Sequence, residues 1–252
     1  AAFDKDGGVL ALRVTAHANL GEWRSNYSSY IPTLSGSRTL TTNYDIQATS
    51  LRVISVMTNT PAIDAYRGAG RPEANYLIER VMDHIAAKTG KSRIDVRRVN
   101  MIKSSQIPYE MVSGGVIDSG EMTELFEMAI DIADVAGFAG RKAASAEQGK
   151  LRGIGFGMYL EQCGGGADEG VDIEFQDDGR IILHGSQQCN GQGHQTTVTQ
   201  ILSDRLGYDA DLITVIQGDS NRSPRGTTGG ARMTAVLGSA TALAAAKIID
   251  LA

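Results

Sequence analysis

Cysteine is scarce in this chain: Cys163 and Cys189 are the only two, and they form no CxxC pair. Two cysteines build no disulfide framework, which points to a reducing, cytoplasmic setting. No basic stripe is present and the net charge is −5, so a nucleic-acid partner gains no support. No run of 18 or more apolar residues occurs, and no signal-peptide pattern opens the chain. The HExxH, GxSxG and GxxxxGK[ST] patterns are all missing, which removes the usual zinc-protease, serine-hydrolase and P-loop readings. No set of metal ligands is assigned.

What is abundant is glycine, 30 of 252 residues, well above the usual ~7%. The glycines gather in a few loops without a fixed period, which favours tight turns and close backbone approach to a ligand. Hydrophobic residues make up 42% and charged residues 21%, enough for a real core. The chain opens without Met and stops inside an Ala-rich helical run, so both ends read as cut from a longer polypeptide; a processed start is the alternative.

Alternation predicts strands at 9–18 and 51–57, with a turn at Asp4-Lys5-Asp6-Gly7-Gly8 and a long Ser/Tyr/Asn-rich loop between them. Helical periodicity predicts 73–88, stopped by Gly90, and a second helix capped by Ser92. A third should open at Asp118-Ser119, turn Leu125, Ile130, Ile132 and Val135 inward, and stop at Gly137. Residues 139–149 are small, charged and non-periodic. Further strands are predicted at 154–160, 170–176, 180–184 and 212–216, and helices at 192–206 and from about Ala235. The interleaving predicts an α+β protein of two α/β subdomains, each a mixed sheet covered by helices. Their expected bounds are 1–138 and 151–252, joined by a linker at 139–150.

Three glycine-rich loops each lead from a strand into a helix. In the first, Tyr66-Arg67-Gly68-Ala69-Gly70-Arg71-Pro72, two arginines stand at a helix N-terminus, where anions bind well. An ordinary βα turn with two surface arginines fits the spacing equally well. In the second, Ser186-Gln187-Gln188-Cys189-Asn190-Gly191-Gln192-Gly193-His194-Gln195-Thr196-Thr197, glycines bare main-chain donors, and Gln192 can donate and accept at once. That suits a heterocycle edge better than a bare phosphate. A GxG pattern is weak alone, and a lone His194 is more often a helix-start polar residue than a ligand. The third runs from Gly218-Asp219-Ser220 to Gly229-Gly230-Ala231-Arg232-Met233-Thr234, a second anion cradle or a flexible linker. The cluster Cys163-Gly164-Gly165-Gly166 reads equally as a mobile turn or a site. The three loops are expected to converge on one extended ligand.

Together, AYRGAGRPEA at 65–74, NGQGHQT at 190–196, and GDS at 218–220 followed by GGAR at 229–232 resemble, in order, segments of the molybdopterin-binding large subunit of the molybdenum hydroxylases. This family includes xanthine dehydrogenase, aldehyde oxidoreductase and aerobic carbon monoxide dehydrogenase, and the last is the nearest in flavour. The resemblance implies a molybdenum-molybdopterin cofactor, in its cytosine dinucleotide form. It implies a partner FAD subunit, a partner subunit with two [2Fe-2S] clusters, and a dimer of heterotrimers. It implies that Arg67 lies beside the metal and orients substrate oxygen. Gly68, Gly191, Gln192, Gly193, His194 and Thr196 would contact the cofactor. Gly229, Gly230, Ala231, Arg232 and Thr234 would cradle its phosphates or dinucleotide.

Two departures from the family pattern bear on activity. Carbon monoxide dehydrogenases carry a cysteine after the Tyr-Arg pair, part of a copper–molybdenum centre; Gly68 stands there instead. Aldehyde or heteroaromatic hydroxylation therefore fits better than CO oxidation. The family's upstream GGxFG loop and its GxGE segment, whose glutamate is the general base, do not occur in these residues. The chain alone is expected to be inactive. A non-catalytic pterin- or nucleotide-binding module, or a plain interaction domain, would share the same loops.

Overall fold

A computed structural model describes residues 1–163, 168–222 and 224–251, so most of the Cys163–Gly166 cluster lies outside the described residues. The chain divides into two compact units, Ala1–Glu161 and Gln162–Ala252.

The first unit starts with the expected turn. The Asp4 carboxylate accepts from the N–H groups of Asp6 and Gly8, both at 2.8 Å, and folds β1 (Ala2–Phe3) antiparallel onto β2 (Val9–Gly21). The chain then crosses over through a π turn, Ile31–Ser35, and the short helix α1 (Gly36–Arg38). It returns as β3 (Thr49–Met57), parallel to β2 and in register from Leu12↔Thr49 to Asn19↔Val56, with a bulge before Gly21↔Met57. Helix α2 (Arg71–Thr89) lays Ile78, Met82 and Ile85 among Val9, Leu12 and Val14 from β2. These positions recur at helical spacing, so one stripe is buried.

Helix α3 (Arg93–Asn100) has the expected cap, with Ser92 Oγ accepting from Asp95 N–H at 2.9 Å. After the β4–β5 hairpin (Tyr109–Glu110, Val116–Ile117) comes α4 (Met122–Ile132), which starts later than the sequence suggests. With Met122 as its first residue, Met122 and Phe126 set the inward face. Leu125 and Ile132, expected inside, are 60% and 80% exposed. The helix also ends before Gly137. The expected linker region holds helix α5 (Phe138–Glu147), and the units divide later, after Glu161. Ala and Lys have high helix propensity, which outweighs the missing amphipathic period there.

Residues 154–160, predicted as a strand, form no strand and join no sheet. Their alternate polar groups are held by side chains instead. Arg93 donates to Ile154 O, and Arg97 donates to Phe156 O, each at 3.2 Å. Met158 N donates to Glu79 Oε1 and Asn43 donates to Met158 O. The anchor is a buried cluster. Arg97 is fully buried and donates to Glu79 and Asp83, while Tyr44 donates to Glu79 at 2.7 Å. Burial and the Glu79 carboxylate push the Tyr44 phenol well above its ordinary range.

The second unit repeats the strand pattern of the first. β6 (Val171–Phe175) and β7 (Ile181–Gly185) form an antiparallel hairpin, and β8 (Ile213–Gln217) lies parallel to β7. Helix α6 (His194–Leu206) makes the crossover and buries Val198 and Leu202. A π turn, Met233–Leu237, runs into α7 (Gly238–Leu251); Leu237 of the turn and Thr241 and Ala245 of the helix are buried one turn apart. Among the described residues, Met233–Leu251 is the one helix long and apolar enough to cross a membrane. Each unit is thus an open mixed sheet with helices.

Candidate functional site

All three glycine loops begin past the carboxyl ends of parallel strands: the first after β3, the second after β7 and the third after β8. Open α/β sheets bind ligands there, because crossover connections leave that end free of core packing.

In the first unit, Gly68, Ala69 and Gly70 run consecutively at φ of +89°, +39° and +96°. Gly70 caps α2, and a Cβ on it would lie 2.6 Å from Ile31 O and 2.8 Å from Gly36 N. A Cβ on Gly68 would lie 2.7 Å from Pro72 and 2.8 Å from the Tyr159 hydroxyl. Only glycine suits either position. Ser35 Oγ donates to Ala69 O at 2.5 Å and pins the loop's outer turn. Of the two arginines, Arg71 has its charge answered: its Nε stands 3.4 Å from Glu161 Oε1. Tyr159 donates to the other oxygen of Glu161 at 2.7 Å, and burial together with that carboxylate pushes its phenol up to about 12. Arg67 is exposed and has no hydrogen bond or ion pair among the described residues. It is the free cation of this loop.

In the second unit, the second and third loops meet. Gln188 N donates to Thr228 Oγ1 at 2.6 Å, and that hydroxyl donates back to Gln188 O at 3.0 Å. Between the loops lies a cleft of about 310 Å³. Six of the predicted residues line it: Gln192, His194, Gly229, Ala231, Arg232 and Thr234. Thr196 is exposed on α6, and its neighbour Thr197 faces the cleft, since adjacent helical positions point about 100° apart. Gly191 and Gly193 flank Gln192, and Gly230 sits at the third loop's turn. The thiol of Cys189 is exposed, and the main-chain N–H groups of His194 and Gly191, followed by those of Gly193 and Gln192, hold its pKa below the ordinary thiol value.

Arg232 lines the cleft and is also engaged within the protein. Its guanidinium is buried and donates at 2.5 Å to Glu169, whose side chain is wholly buried. Glu169 also accepts from Ser186 Oγ and Thr227 N–H, so it organises both loops. The charge of Arg232 is therefore spent internally, and its Nε remains without a hydrogen bond. Sequence reasoning missed Glu169, because a single acidic residue before a strand carries no pattern.

It also missed Gln187. This side chain is fully buried on the cleft wall, and neither its Oε1 nor its Nε2 has a partner. His194 Nδ1 is likewise buried and unpaired, and burial lowers the pKa of that imidazole, so it stays neutral. Each buried polar atom left unpaired costs about 1–3 kcal/mol, which a polar ligand would recover. The cleft thus offers neutral donors and acceptors. Among the described residues no group of three or more His, Cys, Asp or Glu is placed to hold a metal ion. Loops two and three share one site; the first loop stands in the other unit.

Profiles of the molybdopterin cofactor-binding domain match residues 1–101 and 130–252. The carbon monoxide dehydrogenase large chain of Hydrogenophaga pseudoflava is 33% identical over 96% of this chain and 32% of its own length. A crystal structure of Cu,Mo-CO dehydrogenase superposes with a TM-score of 0.84 at 29% identity, over 99% of this chain and 34% of that one. Quinoline 2-oxidoreductase from Pseudomonas putida 86 gives 0.88 at 25% identity, over 98% and 33%. The chain spans about a third of the length of the large chains it matches. Paired cofactor-binding domains, ordered glycine loops and a shared fold lead to one statement: this chain belongs to the molybdopterin cofactor-binding domain family.

Proposed function

We propose that this chain holds a molybdopterin cofactor in a molybdenum hydroxylase large subunit and positions an aldehyde or N-heteroaromatic substrate for oxidation. One observation carries the reading: a cleft between two glycine loops lined by buried polar atoms that lack partners within the protein. A pterin, with donors and acceptors along its ring edge, answers that need. When bound, the cofactor supplies oxygen insertion and two-electron redox chemistry.

The chain's own residues do the rest. Gln192, with the N–H groups of Gly191, Gly193 and His194, would hold cofactor oxygens at the α6 N-terminus. Gly229 to Thr234 would close the opposite wall of the cleft. Arg67, the unpaired cation of the first loop, would hold substrate oxygen and stabilise charge that develops on it. We place the general base, a glutamate, outside these residues. Gly68 offers no thiol for a copper site, which supports carbonyl or heteroaromatic substrates over CO. The cytosine dinucleotide form of the cofactor, FAD and iron–sulfur partner subunits in a dimer of heterotrimers, and a cytoplasmic location complete the proposal.

The test is the metal and pterin content of the full-length protein from a molybdate-supplied host, with Arg67→Ala beside wild type. Both should carry molybdenum and pterin. The variant should lose about 100-fold or more in turnover, the scale of removing one oriented donor. A wild-type protein without pterin would refute the reading, and unchanged turnover would refute the role of Arg67.

A further inference from the structure

We propose that Gln187 reads the ring edge of the bound cofactor through a two-point contact with an aminopyrimidinone. This rests on the reading of the cleft as the cofactor site. The carboxamide of Gln187 presents a donor and an acceptor side by side, both buried and both unpaired, on the wall shared with Gln192, His194 and Arg232. A phosphodiester or the pyrophosphate bridge of a dinucleotide offers only acceptors at neutral pH, so it would face Oε1 with like polarity. The one cation on the cleft wall, Arg232, is already paired with Glu169, which removes the usual attraction for phosphate. A heterocycle carrying an N–H beside a carbonyl or ring nitrogen satisfies both atoms of the amide at once.

The aminopyrimidinone edge occurs in a pterin and in cytosine, and separate probes distinguish the two. Full-length protein is prepared without cofactor, and free pterin, cytidine and inorganic phosphate are titrated in as wild type, Gln187→Leu and Gln187→Met. Wild type should bind pterin or cytidine, and whichever binds identifies the ring read here. Both substitutions should weaken that binding about tenfold or more while phosphate binding stays unchanged. Their cofactor-free melting temperatures should hold or rise, since each removes two buried unpaired atoms. Ring affinity unchanged in the variants would overturn the proposal. So would loss of phosphate binding instead, no ring binding by wild type, or a fall in melting temperature that accounts for the lost affinity. Pterin absent from the loaded wild-type protein is a separate result and counts against the cofactor reading itself.

Discussion

Arg232 and Glu169 form a buried ion pair, 2.5 Å between NH2 and Oε1, across 63 residues of chain. The pair ties the third glycine loop to the segment that leads into β6, and Ser186 joins from the second loop through Glu169 Oε2 at 2.5 Å.

Glu169→Ala should therefore leave a buried guanidinium uncompensated, at a cost of about 3–5 kcal/mol in unfolding free energy. Glu169→Gln, which keeps an acceptor, should cost less. Urea denaturation of the full-length protein measures both. Equal and small effects would show that the pair is solvated and not structural.

Gly68→Cys restores the residue type that carbon monoxide dehydrogenases carry. Here it should fail on sterics: the left-handed φ and the contacts with Pro72 and Tyr159 together cost about 2–4 kcal/mol. Tyr159→Phe removes the hydroxyl that meets the new side chain, so the double variant should be more stable than the sum of the singles predicts. Additive losses in a thermal melt would remove Tyr159 from the explanation.

Tyr109 donates to Asp45 at 2.8 Å, and burial with that carboxylate pushes its phenol up to about 12 from 10.0. The folded value is raised, so the stabilising contribution is complete below pH 10 and lost as pH climbs toward 12. The phenolate absorbance difference between wild type and Tyr109→Phe should show a step near 12. A step near 10 would mean the bond to Asp45 is absent in solution.

Cys189 should be the faster of the two thiols toward iodoacetamide near neutral pH, because four main-chain N–H groups favour its thiolate. Rates across pH, resolved by peptide mass, give its midpoint. A midpoint at the ordinary thiol value would show that these N–H groups do not stabilise the thiolate.

Much of this was legible in the sequence, and the exceptions share a cause. Periodicity located the strands and the helices around Ile78 and Val198, since each buries one face of a regular element. It misread 154–160 because alternation in Ile154, Phe156 and Met158 reports an extended chain, not what the backbone bonds to. Here side chains replace the neighbouring strand. It misread α4 because both faces are apolar and only the true start, Met122, sets which turns inward. The glycine loops were visible because turns demand glycine. Gln187 and Glu169 were not, because a buried amide or carboxylate becomes informative only when its partners, or their absence, are known.

The side-chain moorings of residues 154–158 decide where this polypeptide can be divided. A protease or an engineered terminus acting just after α5 would strip Arg97, Glu79 and Asn43 of contacts that no other strand can replace, although the two halves look separable there by composition. The boundary between the two compact units follows Glu161 instead, and all of these moorings lie before it.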